Sequence, residues 1–331
     1  MPAFSPLFNA YLDAARRGTR FWRALLGLVL IPVCWVATTL LFVLLSAVGV
    51  RMVEPEWSSL VGRPDTREAL LTAIEYGELS GAAALVGLLG ILLSFLGIWL
   101  GVWLTQLLLK APLSSLISAM GRIRWRRGLQ AAGVTLLAML VLSLVDASWE
   151  WERYRLQAIG PLFGLGLLMG VLLIPLQAGA EELLFRGWLV QQIGRLSRNP
   201  WLLGGLTSAG FAWLHGANAE AATYGFAAYL AYAAMGAVLF WTVWREGGIE
   251  VAIGIHTANN LFAFFWLKPS DSEGFTHFGN ETLFYYEGTF ELTALRLLGM
   301  VLFYLLILVL LYWRRSPLRL PALDRAAGTA P

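Results

Sequence analysis

The chain has 331 residues, 58% of them hydrophobic and 14% charged, with a mean hydropathy of +0.67. Soluble domains carry about 25% charged residues, so a soluble globular fold is excluded, and several apolar runs reach the roughly 20 residues that cross a bilayer core. The net charge of +3 comes almost wholly from arginines in short loops, a pattern that sets membrane topology and argues against a nucleic-acid surface.

The composition predicts an all-α, polytopic membrane protein, and hydropathy divides it into about eight transmembrane helices. Residues 1–23 are amphipathic and carry Arg16, Arg17, Arg20 and Arg23. The first span covers 24–50 and holds the single cysteine, Cys34, so no intrachain disulfide forms. This segment is too long for a signal peptide and reads as a retained anchor. The loop 51–80 is acidic, with a short surface helix expected over 65–79. A second span, 81–109, leads into Lys110 and the basic cluster Arg122, Arg124, Arg126 and Arg127, in a semi-polar stretch expected to lie along the interface.

The third span covers 129–145 and is followed by Asp146, Glu150, Glu152, Arg153 and Arg155. The fourth begins near 158, carries Glu181 and Glu182 towards its far end, and is followed by Arg195 and Arg198. The fifth, sixth and seventh cover 201–216, 225–244 and 249–267. An acidic loop, 268–291, precedes the eighth span at 292–313, and the polar tail 314–331 has the composition of a disordered segment.

Arginine-rich loops alternate with acidic ones, although 245–250 is ambiguous, with Arg245 against Glu246 and Glu250. The positive-inside rule then places both termini in the cytoplasm of a cell (inner) membrane. No internal repeat stands out, which counts against inverted-repeat transporters. Four regions result: 1–157 with three spans, a core at 158–267, an outer loop with the eighth span at 268–313, and the tail 314–331.

Ionisable groups inside hydrocarbon are costly and are functional candidates by default. In Ala180-Glu181-Glu182-Leu183-Leu184-Phe185-Arg186, Glu182 and Arg186 are i,i+4 neighbours and can pair. Glu181 is turned by about 100° from Glu182, so one carboxylate is neutralised and one is left available. An unpaired carboxylate in low dielectric is a stronger base, as a general base must be. Glu181 also precedes Arg195 by fourteen residues, roughly 20 Å of helix, which puts it near mid-bilayer.

Two of the three histidines fall in predicted spans. His215 ends Phe211-Ala-Trp-Leu-His215, and His256 begins His256-Thr-Ala-Asn-Asn260, which sets Asn260 on the same helical face. His277 sits in an outer loop and reads as solvated. A lone intramembrane histidine is usually a packing hydrogen-bonder. Two, with an asparagine and a free glutamate on the fourth, fifth and seventh spans, form a constellation.

These motifs, Glu-Glu-x-x-x-Arg, Phe-x-x-x-His and His-x-x-x-Asn on successive spans, resemble the CAAX-protease and bacteriocin-processing (CPBP) family of intramembrane glutamic endopeptidases, which includes the type II CAAX prenyl proteases. The resemblance covers residues 158–267. It implies that Glu181 activates a water with help from His215. His256 and Asn260 would form an oxyanion hole, with Glu182 and Arg186 as structural support and no cofactor. Glu181, His215 and His256 are also the N/O set of a catalytic zinc, but there is no His-Glu-x-x-His helix, and Asn260 suits an oxyanion donor better.

The implied substrate is a membrane-associated protein or peptide, prenylated or bare. Two rivals remain: a non-catalytic scaffold or immunity protein, which the intact constellation argues against, and a proton-coupled transporter, for which the N-terminal spans offer no acidic pathway. Gly97/Gly101, Gly160/Gly164 and Gly166/Gly170 have small-x-x-x-small spacing and read as packing sites. Pro175 is expected to kink the fourth helix. Tyr224, Tyr229 and Tyr232 read as packing residues first and as the lining of a substrate groove second.

Overall fold

In hydrocarbon a backbone must satisfy its own hydrogen bonds, so each long apolar run is expected to close into a helix. The structure, a computed structural model, describes residues 6–14, 22, 25–53, 81–157, 160–269, 282–287 and 293–312. Besides two short helices, Ser114–Ile117 and Ala219–Tyr224, the helices are α1 (Pro6–Ala14), α2 (Gly27–Val53), α3 (Gly81–Leu109), α4 (Trp125–Trp149), α5 (Pro161–Ile193), α6 (Pro200–Leu214), α7 (Phe226–Glu246), α8 (Glu250–Phe265) and α9 (Ala294–Tyr312). The eight from α2 to α9 correspond one for one to the eight expected spans. Six are long and apolar enough to cross a membrane, and α6 and α8 are shorter, at 15 and 16 residues. The fold is an all-α polytopic membrane protein.

Three three-residue strands, β1 (Tyr154–Leu156), β2 (Leu267–Pro269) and β3 (Phe284–Tyr286), make a small sheet of order β1-β3-β2. It ties the end of α4 to the end of α8, with β1 antiparallel and β2 parallel to β3. Tyr154 donates to Asp146 at 2.6 Å beneath it, and burial together with that carboxylate pushes the Tyr154 phenol above its ordinary range. The expected helix at 65–79, Arg16, Arg17, Arg20, Arg23, His277 and the tail 314–331 lie outside the described residues.

Close backbone approach orders the N-terminal spans. A Cβ on Gly97 would lie 2.6 Å from the Cys34 carbonyl oxygen, and one on Gly101 2.6 Å from Ile31 Cα, so only glycine lets α3 lie this close to α2. Gly166 and Gly170 play the same part against Leu85 and Phe265. Gly164 does not: nothing stands within 4 Å of where its Cβ would be, so the spacing alone overstated the packing there. The helix runs on through Pro175, and Trp99 Nε1 donates to the neighbouring Leu176 carbonyl at 2.9 Å.

The amphipathic α1 buries its apolar face fully, through Phe8, Tyr11 and Leu12. The Tyr11 hydroxyl is shared between the carbonyls of Leu116 at 2.6 Å and Arg186 at 3.0 Å. Burial pushes this phenol far up, which keeps it a neutral donor.

The basic stretch after α3 departs from expectation. α4 starts at Trp125, a turn earlier than expected, because Arg124 and Arg127 are partnered rather than solvated. Arg124 binds Glu250 with Nε at 2.9 Å and Nη2 at 2.6 Å, and Glu246 with Nη1 at 3.0 Å. Arg127 pairs with Glu246, which also accepts from Tyr312 at 2.9 Å. The ambiguous charges of the 245–250 loop are thus neutralised by the 122–127 cluster. Glu246 is only 3% exposed. Glu246→Gln strips a charge from two arginines held in place, and we expect it to cost about 2 kcal/mol, below the range for fully buried pairs. Thermal denaturation in detergent checks this, and an unchanged midpoint would show that the network adds nothing net.

Candidate active site

The polar residues of the core meet where α5, α6, α7 and α8 converge. After Glu182 the helix widens into a π-helical stretch, Leu183–Leu189, a local distortion common at functional sites. Glu182 and Arg186 are both wholly buried and pair at 3.0 Å. Arg186 Nη2 donates to the Gly236 carbonyl of α7 at 3.1 Å, and its guanidinium lies 4.5 Å from the Phe211 ring centroid. Gly236 has no room for more: a Cβ there would sit 3.0 Å from Ser208 Cα and 3.2 Å from Arg186 Nη2.

Glu181, one residue earlier, faces a different set of groups. Its Oε1 accepts from Gln177 Nε2 at 2.5 Å. Its Oε2 is buried and, among the described residues, has no hydrogen-bond partner. Two imidazole nitrogens approach that oxygen without bonding it, His256 Nε2 at 3.6 Å and His215 Nε2 at 3.8 Å. The wheel-based separation of a paired and an available carboxylate is what the side chains adopt.

The other ring nitrogens fix both histidines. His215 lies just past the end of α6, in the 3-10 turn His215–Ala217, and its Nδ1 is 2.8 Å from the Phe211 carbonyl oxygen. A carbonyl only accepts, so Nδ1 carries a proton and neutral His215 turns its lone pair towards Glu181. The ring is held between Phe211 and Tyr232, with centroids at 4.3 and 4.2 Å. His256 Nδ1 is 2.9 Å from Glu182 Oε1, so the supporting carboxylate orients a candidate site histidine as well as Arg186. Asn260 Nδ2 donates to Gln177 Oε1 at 2.9 Å.

All six residues expected from the sequence, Glu181, Glu182, Arg186, His215, His256 and Asn260, are therefore gathered. Two others were passed over. Gln177 joins Glu181 to Asn260, and the signal was present: it is the sole polar side chain from Pro161 to Ala180, and it stands four residues before Glu181, on the same helical face. Tyr232, read as a packing residue, lies on the His215 ring and accepts from Asn218 at 3.1 Å; nothing in sequence spacing marked it. Although Glu181, His215 and His256 come close, no group of three or more His, Cys, Asp or Glu among the described residues is arranged to hold a metal.

Residues 163–262 match the family model described as type II CAAX prenyl endopeptidase Rce1-like. Among curated proteins, the chain is similar to the uncharacterized protein YyaK of Bacillus subtilis (strain 168), with 32% identity over 168 residues. That alignment takes in 50% of this chain and 56% of the relative, so the chain spans little more than half the length of the curated relative it matches. No solved structure matches the chain. The matched segment contains all three motifs, and the resemblance that they carry is borne out as a resemblance: residues 163–262 are similar to the Rce1-like, type II CAAX prenyl endopeptidase family.

Proposed function

We propose that this CAAX-protease-like, multi-pass membrane protein hydrolyses a peptide bond of a membrane-associated protein or peptide, using a water activated by Glu181. The observation that carries the reading is the unpartnered Glu181 Oε2, a buried carboxylate oxygen faced by two imidazole nitrogens at 3.6 and 3.8 Å. With a lone pair on His215 Nε2, the gap holds two acceptors and calls for a donor between them. Water supplies two O–H groups and fits that need.

In the reaction, the water oxygen attacks the scissile carbonyl carbon and one of its protons passes to Glu181, with His215 orienting the lone pair. The carbonyl oxygen becomes an oxyanion, stabilised by the Asn260 N–H not spent on Gln177 and by His256, which, with Nδ1–H already given to Glu182, acts here as an imidazolium. Collapse breaks the C–N bond, and the proton held by Glu181 goes to the departing amine. Glu182 and Arg186 keep His256 and the π-helical turn in place.

Peptide cleavage by purified protein in detergent, with prenylated and bare apolar C-terminal peptides, tests the mechanism. Glu181→Gln is expected to lower kcat by about 10³-fold or more and His215→Ala by about 10²-fold, with Asn260→Ala also costing about 10²-fold. Activity should survive a strong chelator. Loss on chelation with recovery on zinc would replace the water-only mechanism with the zinc one. An inert wild-type protein whose cellular phenotype persists in Glu181→Gln would point to a scaffold, and a phenotype lost without cleavage would point to a proton relay.

The same reading places both termini in the cytoplasm of the cell membrane, with Arg195 and Arg198 on the inner side and Asp146, Glu150 and Glu152 outside. In a Cys34→Ala background, Glu152→Cys should react with an impermeant maleimide on intact cells. Ser197→Cys should react only after permeabilisation, and the opposite pattern would invert the topology.

A further inference from the structure

A row of hydrogen bonds reaches the site from a helix outside the matched core. Tyr304 of α9, only 3% exposed, donates its hydroxyl to Asn259 Oδ1 at 3.0 Å. Asn259 Nδ2 faces Asn260 Oδ1 at 3.4 Å. Asn260 Nδ2 donates to Gln177 Oε1 at 2.9 Å, and Gln177 Nε2 donates to Glu181 Oε1 at 2.5 Å. Every donor in this row points the same way, towards Glu181.

That polarity follows from chemistry. An ionised carboxylate only accepts, so Gln177 must turn its NH₂ group to Glu181 and its carbonyl to Asn260. Asn260 must then offer its NH₂ group to Gln177, which leaves its carbonyl for Asn259. Asn259 in turn presents its carbonyl outward, and a hydroxyl, which can donate, is what meets it. A chain ending in an acceptor-only group instead of Tyr304 would leave two carbonyl oxygens facing each other.

We infer that Gln177 is a positioning residue for Glu181 and Asn260, and that Tyr304 sets the direction of the chain that holds it. This rests on the proposed peptidase reading and deepens it. Gln177 ties down Oε1 so that Oε2 alone faces His215 and His256, and it fixes which end of the Asn260 amide is free to meet a substrate oxygen. The eighth span thereby becomes a part of the working site.

The experiment is a kinetic cycle on full-length protein in detergent, with Gln177→Met, Tyr304→Phe and the double variant. Met matches glutamine in length and apolar volume but carries no amide. Gln177→Met should lower kcat by about 100-fold, the scale of a misplaced catalytic group, with KM within about two-fold of wild type. Tyr304→Phe should lower kcat by about five-fold, one ordinary hydrogen bond. The double variant should be no slower than Gln177→Met, because the chain is already cut.

Multiplying effects, or a Gln177→Met enzyme as fast as wild type, would overturn the inference while leaving the Glu181 assignment intact. If wild type cleaves nothing and Glu181→Gln changes nothing, the peptidase reading fails by itself. The same cycle is then read by thermal denaturation, where coupled shifts support the chain and additive shifts refute it.

Discussion

The buried ion pair between Glu182 and Arg186 is the constraint on which the rest of the core depends. Both side chains are inaccessible to solvent, and in a membrane interior a bare guanidinium or carboxylate costs several kcal/mol at least. Such a pair is held by partners from outside it, although Glu182 Oε2 and Arg186 Nε have no hydrogen-bond partner among the described residues. Gly236 supplies a carbonyl, Phe211 a ring face and His256 a second donor to the carboxylate. Each of these comes from a different helix, α7, α6 and α8. The pair therefore ties three helices to α5, and a Cβ at 236 would press on Ser208 and on Arg186 Nη2.

This arrangement explains why two adjacent glutamates have unlike duties. Glu182 is saturated on Oε1 by a guanidinium and an imidazole, and its charge is matched. Glu181, turned by about 100°, hydrogen-bonds neither of them, although His256 Nε2 stands 3.6 Å from its Oε2. Its bonded oxygen is held by a neutral amide rather than by charged or ring donors, and its other oxygen faces two imidazoles. A helix is the simplest way to give neighbouring residues different environments at fixed depth. Water exclusion around the first carboxylate and water access at the second can coexist within two residues.

Much of this was legible from the sequence. The span pattern follows from hydropathy and is bounded by charge, and the i,i+4 relation of Glu182 to Arg186 is a property of any helix. What could not be read was set between helices. The Glu182–His256 bond joins residues 74 apart, and spacing within the His-x-x-x-Asn motif gave no hint that the histidine leans on the supporting carboxylate. Gln177 was hidden because a single amide in an apolar run ordinarily signifies packing. The pairing of Arg124 and Arg127 with Glu246 and Glu250 was likewise invisible to a rule that counts loop charges without pairing them.

The short helices complete the argument. At 15 residues, α6 rises about 22 Å, and the carbonyls of its last turn come free of helical partners, which is costly in apolar surroundings if they stay unpaired. His215 answers that need: its backbone N–H and its ring Nδ1 both meet the Phe211 carbonyl. The bond that closes the helix end is also the bond that fixes the tautomer and turns Nε2 towards Glu181. Ending the helix early thus sets an imidazole with a defined lone pair beside Glu181. The proposed hydrolysis would need a histidine of fixed orientation beside Glu181, and that orientation is set by a helix end.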